Sequence, residues 1–262
     1  FMIAAANPYA SEAGAAMLRK GGSAVDAAIA VQAVLSLVEP ESSGLAGGAF
    51  MLHYDEKSGD VAAYDGRETA PMGATPALFL DDEGEPLPFL EAMIGGSSVG
   101  TPGVVKMLWL AHEEYGKLEW AELFQPAIKL AEGGFTVAPK LAEAIARDPV
   151  LMQMPVAQDY FYRVNAEGMR VPAAEGDVLK NPAYAETLKI IAAKGWKGFY
   201  EGPVAEEIVT TVQNAPRRPG TLALSDFASY EAKKREPVCA AYRDYRVCSM
   251  PRPLYTSPSP RD

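Results

Sequence analysis

Residues 44–68 read GLAGGAFMLHYDEKSGDVAAYDGRE, and this stretch decides the expected fold. Its beginning, 44–48, is too rich in glycine for regular structure and predicts a tight packing turn. Apolar strands over 49–54 and 61–64 flank the turn sequence Glu56-Lys57-Ser58-Gly59, which predicts a β-hairpin with a loop of about four or five residues. Asp65-Gly66-Arg67-Glu68 follows at once, so a charged cluster is expected at the end of a core strand.

Two helices are predicted upstream of this hairpin. The first covers 11–20 and ends at Gly21-Gly22, where glycine can adopt the left-handed conformation that closes a helix. The second covers 24–38, with Ser23 as its N-cap and Pro40 just beyond its end. Because apolar residues cover almost its whole circumference, we expect this second helix to be buried rather than amphipathic.

The downstream pattern predicts mostly helices. They are expected at 103–115, 119–132 with a bend or restart at Pro126, 138–146, 183–194 and 203–213, and a short helix is expected with Ser225 as its cap. The pattern also predicts an exposed loop over 81–88, an irregular segment over 150–180 and a second β-hairpin over 237–250. Residues 251–262 contain four prolines and no periodicity, so we expect them to be disordered.

Composition limits the classes of partner. Of the 262 residues, 48% are hydrophobic and 22% charged, which is ordinary for a globular protein. The net charge of −10 would repel phosphate backbones, so no nucleic-acid partner is expected, and Lys233-Lys234-Arg235 is interpreted as a solvated strand entry. The longest apolar stretch, 24–38, is shorter than the ~20 residues of a membrane span. No signal peptide is visible at Phe1-Met2-Ile3-Ala4, so a mature, trimmed or partial chain is expected.

Several common catalytic patterns are missing from the sequence. His53 and His112 are the only histidines, and each is expected to be a packed or surface residue rather than a member of a serine triad. The glycine loop at 44–48 lacks the pattern of a phosphate-binding P-loop. The two cysteines do not have the spacing of zinc ligands, so no metal site is predicted.

Arg67 is the residue whose position suggests a binding role. Its planar guanidinium can grip a carboxylate with two parallel hydrogen bonds, which suits recognition of an amino-acid substrate. The alternative is a structural ion pair with Asp65 or Glu68, and the spacing alone favours this alternative.

Cys239 and Cys248 are expected to face each other in the second hairpin. If Arg243-Asp244 is a two-residue loop, Tyr242 faces Tyr245, and counting outward places the two cysteines at a non-hydrogen-bonded pair. The Cα atoms of such a pair lie ~4.5 Å apart, which is at the short end of the disulfide range. A cross-strand disulfide and two buried free thiols are both compatible with this spacing.

The chain resembles the γ-glutamyltransferase family from about residue 2 to residue 250. Arg67 lies in Asp65-Gly66-Arg67-Glu68-Thr69-Ala70-Pro71, which is similar to the family's R-E-x-A-P signature. Residues 39–50 resemble its glycine loop, with Ala46 where glycine is usual. Further matches, at family spacing, are residues 5–11, 21–28, 98–103 and 199–202. Each match is weak alone, and their common order makes the resemblance specific.

The resemblance implies a fold, an activity and a role for Arg67. The fold is the αββα sandwich of N-terminal-nucleophile hydrolases, an α/β (α+β) class, of which this chain would be an incomplete large-subunit part with many helices and few strands. Arg67 would bind the α-carboxylate of the γ-glutamyl group of glutathione. A threonine at the start of a small subunit, cut from the same precursor, would attack the γ-glutamyl amide. No cofactor and no metal are implied, and family members usually work in the periplasm or outside the cell.

The chain departs from the family at its end. Residues 1–250 are interpreted as the large-subunit portion, and 251–262 as a non-matching tail in which Thr256 is not assigned as the nucleophile. We therefore expect no catalytic residue in this chain, and a truncated or chimeric product that is inactive alone. Two other readings stay open: a β-lactam or glutaryl acylase, and a non-catalytic protein that binds amino acids through Arg67.

Overall fold

The computed structural model describes residues 1–251, and the expected disorder of the tail lies outside this part except for Pro251. Within it, twelve α-helices, two short 3-10 helices (Gly96–Ser98 and Leu151–Gln153) and nine strands are formed. The helices are α1 Pro8–Arg19, α2 Ala24–Val38, α3 Phe89–Met93, α4 Val104–Tyr115, α5 Trp120–Leu123, α6 Gln125–Gly133, α7 Pro139–Arg147, α8 Pro155–Phe161, α9 Pro182–Lys194, α10 Lys197–Tyr200, α11 Pro203–Gln213 and α12 Leu224–Ser229. The strands are β1 Ala49–Asp55, β2 Asp60–Gly66, β3 Phe135–Thr136, β4 Tyr162–Val164, β5 Arg170–Pro172, β6 Val178–Leu179, β7 Lys233–Arg235, β8 Val238–Tyr242 and β9 Tyr245–Ser249. Helices outnumber strands, as the sequence predicted.

The chain divides into two compact units, each made of two segments. Unit 1 combines Phe1–Leu45 with His112–Glu206. Unit 2 combines Ala46–Ala111 with the described residues from Glu207 to Pro251. No helix within residues 1–251 is long and apolar enough to cross a membrane.

Unit 1 is organised around α2, whose predicted bounds and cap are confirmed. The Ser23 side chain accepts a hydrogen bond from the Asp26 backbone N–H, and the Asp26 side chain accepts one from the Ser23 N–H. This reciprocal pair satisfies two backbone donors that the first helical turn leaves without partners. Nine of the helix's residues are buried, as expected for its apolar circumference. The preceding α1 begins earlier than predicted, because the Asn7 side chain caps it.

Two other predictions for unit 1 were tested by the structure. The expected restart near Pro126 is confirmed, since α5 ends at Leu123 and α6 begins at Gln125. The irregular segment predicted for 150–180 was wrong, because α8 and the short strands β4, β5 and β6 lie there. These strands pair only over two or three residues, with β6 pairing the distant β3. Pairs this short leave no alternation that a sequence pattern can detect.

Unit 2 contains a three-stranded antiparallel sheet in the order β1-β2-β7. The predicted hairpin of β1 and β2 is confirmed, with Phe50 opposite Asp65. The stretch expected to be a strand entry is itself β7, in which Lys233 pairs with Asp65. The predicted Ser225 cap was wrong: α12 begins at Leu224, and the Asp226 side chain accepts the Ala223 N–H.

Candidate functional site

Arg67 lies directly after β2, at the end of the sheet of unit 2. Gly66, the last residue of β2, packs so tightly that a Cβ atom there would lie 2.5 Å from Met107 Cβ, and such a contact cannot exist without a shift. The chain can therefore leave the sheet beside α4 only because this position has no side chain. This close packing fixes the point at which the chain leaves β2, and therefore the position of the Arg67 backbone.

The guanidinium of Arg67 is only partly enclosed. Its Cζ atom lies 5.8 Å from the centroid of the Phe50 ring, an arrangement in which a cation is attracted by the aromatic face. Nη1 donates to the Gly48 carbonyl oxygen at 3.3 Å, and Nη2 lies 3.3 Å from Glu68 Oε2. The side chain is 43% exposed. A guanidinium has five N–H donors, so these two long contacts leave it able to receive a further anion.

Asp65 does not bind the Arg67 guanidinium. It is buried, and its Oδ2 atom accepts a hydrogen bond from Arg235 Nε at 2.6 Å, while Oδ1 accepts the backbone N–H of Arg67 at 3.0 Å. Of the two partners that the spacing allowed for an ion pair with Arg67, Asp65 is held by Arg235 instead. Glu68 does form such a pair, at the long distance given above.

The glycine loop supports this arrangement from the other side. The Gly47 carbonyl oxygen accepts the backbone N–H groups of Gly103 and Val104, at 2.9 and 3.2 Å. A Cβ atom at Gly48 would lie 2.2 Å from Glu68 Oε2 and 2.9 Å from Arg67 Cα. The interpretation of 44–48 as a tight packing turn is confirmed at Gly48, where the absent side chain leaves the room that Arg67 and Glu68 occupy.

Tyr230 contacts the same segment from the C-terminal part of unit 2. Its hydroxyl donates to the Arg67 carbonyl oxygen at 2.8 Å. Burial raises the pKa of Tyr230 well above its ordinary value, the negative charges of Asp65 and Glu68 raise it further, and the charge of Arg67 opposes them. The phenol therefore keeps its proton at neutral pH and acts as a hydrogen-bond donor.

Comparison with known proteins gives the site its context. The sequence model of the family described as Gamma-glutamyltranspeptidase matches residues 10–256. The chain belongs to the gamma-glutamyltranspeptidase family. The resemblance inferred from the motifs is confirmed by this match.

Individual gamma-glutamyltranspeptidases and related proteins are similar over nearly the whole chain. The glutathione hydrolase proenzyme of Bacillus subtilis (strain 168) is 41% identical over 252 residues, which cover 96% of this chain and 42% of that protein. The solved gamma-glutamyltranspeptidase of Helicobacter pylori gives a TM-score of 0.87 at 33% identity, over 95% of this chain and 69% of that one. The enzyme of Pseudomonas nitroreducens complexed with L-DON gives 0.85 at 34% identity, over 97% and 72%.

These comparisons confirm the fold class and show how much of the relative is matched. The structural likeness confirms the expected α+β class of the N-terminal-nucleophile hydrolases, and within residues 1–251 the chain shows the expected helices and small sheets. The chain spans less than half the length of the curated relative from Bacillus subtilis.

The two histidines of this gamma-glutamyltranspeptidase family member lie in regular elements, His53 in β1 and His112 in α4. His112 packs edge-on against Trp120 at 5.3 Å between ring centroids, and its Nε2 atom lies 2.9 Å from the Leu118 carbonyl oxygen. His53 lies in β1 and is half-buried. The expectation of a packed residue is thus confirmed for His112. Among the residues that the structure describes, no group of three or more metal-binding side chains is present.

The second hairpin has the predicted register. Cys239 pairs with Cys248, and Tyr242 with Tyr245, across β8 and β9. In the structure the two Sγ atoms are bonded to each other and the Cα atoms lie 4.1 Å apart. We propose that the native protein carries this bridge, which the sequence left open against two free thiols.

Sequence reasoning missed the aromatic and long-range parts of the site. Phe50 could have been noticed, since it precedes Arg67 in the same predicted hairpin. Tyr230 and Arg235 are separated from their partners by 163 and 170 residues, and no local pattern connects positions so far apart.

Proposed function

We propose that this chain is the large-subunit portion of an enzyme that transfers or hydrolyses γ-glutamyl groups, with Arg67 as the anchor for the α-carboxylate of the donor. Glutathione is the proposed donor, and water or an amino acid is the proposed acceptor. Family membership supports the reaction class, because the curated relative from Bacillus subtilis is named a glutathione hydrolase proenzyme.

The observation that carries this proposal is that the Arg67 guanidinium is partly exposed and forms only long polar contacts within the described residues. It is held in place by Phe50 and by two contacts of 3.3 Å, and 43% of the side chain is exposed. A charge-assisted bond between an arginine and a carboxylate is usually short, at about 2.7–2.9 Å, and often bidentate. Here the short bond to a buried carboxylate belongs to Arg235 instead. Arg67 is thus left for a carboxylate that comes from outside the chain.

The remaining parts of the mechanism are proposed from the family resemblance. A threonine at the start of a small subunit from the same precursor would attack the γ-glutamyl amide, with its own amine as the base. Arg67 would hold the donor so that this amide lies beside the threonine. Binding at Arg67 would thus orient the amide for attack. The oxyanion donors and the groups that bind the α-amine would also come from outside residues 1–251. We propose a periplasmic or extracellular location.

The test begins with the gene. The source DNA is sequenced beyond the codon for Met250, and the longest open reading frame that contains this chain, here called the parent protein, is expressed. We expect the parent protein to release glutamate from glutathione and Arg67→Ala to raise KM about 10- to 100-fold, since charge-assisted hydrogen bonds contribute about 1.5–3 kcal/mol. The matched control is Arg147→Ala, which removes an arginine that is 77% exposed and pairs with Glu143 in α7.

Two outcomes would overturn the proposal: a parent protein without γ-glutamyl activity, or an Arg67→Ala variant whose KM equals that of the control. A glutaryl amide assayed in parallel distinguishes a γ-glutamyltransferase from an acylase. The glutaryl group has the same terminal carboxylate and lacks only the α-amine, so Arg67 would bind both. Faster turnover of the glutaryl amide would favour an acylase. Glutamate binding that depends on Arg67, with turnover of neither substrate, would favour a binding protein.

A further inference from the structure

The backbone N–H and the backbone carbonyl oxygen of Arg67 are each hydrogen-bonded to a side chain. Its N–H donates to Asp65 Oδ1 at 3.0 Å, and its carbonyl oxygen accepts the Tyr230 hydroxyl at 2.8 Å. Arg67 itself lies just after the end of β2, so the hydrogen bonds of the sheet do not fix its backbone. The two side-chain contacts therefore replace the sheet at the residue that carries the guanidinium.

Each of these side chains is itself anchored. Asp65 is buried and receives Arg235 Nε at 2.6 Å, and β7, which carries Arg235, is paired to β2. A buried carboxylate needs such a counter-ion and a full set of hydrogen bonds, because an uncompensated charge is costly away from water. Arg235 therefore fixes the orientation of the Asp65 side chain independently of the Arg67 N–H that Asp65 accepts.

Tyr230 is anchored from α4. The side chain is buried, and the Lys106 ammonium donates to the Tyr230 carbonyl oxygen. At Gly103, a Cβ atom would lie 2.1 Å from the Tyr230 hydroxyl oxygen and 2.2 Å from the Gly66 carbonyl oxygen. The absence of a side chain at Gly103 is thus what allows the hydroxyl to reach the Arg67 peptide.

We infer that Tyr230 and the Asp65–Arg235 pair are positioning residues that aim the Arg67 guanidinium at the carboxylate of the acyl donor. This inference rests on the proposed function, in which Arg67 binds that carboxylate. The guanidinium lies at the end of a long side chain, so a small rotation of the Arg67 peptide displaces it substantially. Productive binding groups need to be held within about 0.5 Å and 10–20°. Glu68 and Gly48 guide the guanidinium only through contacts of 3.3 Å, so the two backbone contacts supply the remaining constraint.

The test compares Tyr230→Phe with the unaltered parent protein. This change removes one hydroxyl and keeps the ring that fills the space. We expect KM for a γ-glutamyl donor to rise about 5- to 10-fold, as for the loss of one hydrogen bond, while kcat changes less than about twofold. Tyr54→Phe is the matched control, because that tyrosine lies in β1 of unit 2 and is exposed.

Two further measurements separate positioning from a general structural effect. With a donor whose α-carboxylate is converted to an amide, Tyr230→Phe should have no effect on KM, because Arg67 no longer has its ligand. In an Arg67→Ala background, Tyr230→Phe should likewise add nothing. Asp65→Asn leaves one side-chain oxygen for two donors, Arg235 Nε and the Arg67 N–H, so it should reproduce the selective rise from the other side of the Arg67 backbone. This variant decides the matter if Tyr230→Phe does not fold.

An equal loss with both donors, or a full additional loss in the Arg67→Ala background, would overturn the inference while leaving the role of Arg67 intact. If Arg67→Ala itself leaves KM unchanged, the proposed function fails instead. The two failures are therefore distinguishable in one set of kinetic measurements.

Discussion

Gly48 and Glu68 are in contact at a distance that only glycine allows: a Cβ atom at Gly48 would lie 2.2 Å from Glu68 Oε2. The same atom would lie 2.9 Å from Arg67 Cα, so it would meet backbone as well as a movable side chain. Real Cβ atoms do not approach other atoms so closely, and a larger residue at Gly48 must displace Arg67, Glu68 or the loop.

The first prediction follows from this contact. Gly48→Ala should weaken binding of the γ-glutamyl donor, with KM raised about tenfold or more, because the displaced Arg67 no longer meets the carboxylate. Stability should fall by roughly 1–3 kcal/mol, as for other overpacked sites. Gly44→Ala is the control, since a Cβ atom at Gly44 meets nothing within 4 Å in the described part of the chain. Steady-state kinetics and thermal unfolding measure both effects; equal behaviour of the two variants would contradict the prediction.

The second prediction concerns a buried carboxylate in unit 1. Asp26 is fully buried and accepts the backbone N–H groups of Ser23 at 2.7 Å, Lys117 at 3.0 Å and Leu118 at 3.2 Å. Asp26→Asn should lower the free energy of unfolding by about 1–3 kcal/mol, because the backbone N–H groups would then donate to a neutral amide oxygen instead of a charged carboxylate. Denaturant unfolding of the parent protein measures the change. Asp82→Asn, in an exposed loop, is the control, and a loss no larger than in this control would refute the assigned role.

The third prediction concerns pH. Burial alone would raise the pKa of Glu39, but hydrogen bonds from Asn7 Nδ2 at 2.9 Å and Lys140 Nζ at 3.0 Å outweigh it, so the pKa is lowered. A lowered pKa in the folded state contributes stability above the ordinary glutamate pKa of about 4.3, and this stability is lost as the pH falls through the folded-state value. The difference in melting temperature between the unaltered protein and Glu39→Gln should therefore be largest near neutral pH and shrink below about pH 4.

Melting curves at several pH values test this dependence. Glu175→Gln, at an exposed glutamate, supplies the control for the general effect of losing one negative charge. A difference for Glu39→Gln that stays constant from neutral pH to acid would show that the group's ionisation is not linked to folding.

The fourth prediction is that Cys239 and Cys248, the two cysteines of this chain, are not free thiols. Cys239 and Cys248 join two strands whose loop is short, and an isolated two-stranded hairpin is only marginally stable in water. Thiol labelling of the denatured, unreduced protein should give no modification, and labelling after reduction should give two. Reduction should lower stability by about 2 kcal/mol. Two labelled thiols before reduction would show that the pair is not bridged.

Local signals in the sequence were sufficient for the elements that are stabilised locally. Ser23 and Asp26 lie three residues apart, and the side chain of each accepts the backbone N–H of the other. The N-terminus of α2 could therefore be predicted from the sequence. The hairpin of β8 and β9 depends on a two-residue turn, and its register follows by counting.

The elements that failed depend on distant partners. Residues 233–235 become a strand only because β2 offers them an edge, and their three alternating side chains are too few for a pattern. The site shows the same limit. Arg67 could be singled out from its place after a strand. Tyr230, which donates to the Arg67 carbonyl oxygen, and Arg235, which holds Asp65, depend on contacts across unit 2 that no spacing reveals.

The division of unit 2 into two segments of chain also sets an order of events during synthesis. Arg67 leaves the ribosome long before Tyr230 and Arg235, and among the residues between them 112–206 belong to the other unit. At ~5–20 residues per second, the β2 edge waits on the order of ten seconds for its third strand. A nascent chain therefore carries an unfinished sheet edge for this interval, and unpaired edges invite pairing with other chains. Codon changes that slow translation between residues 112 and 235 would lengthen that exposure without altering a single residue of the finished protein.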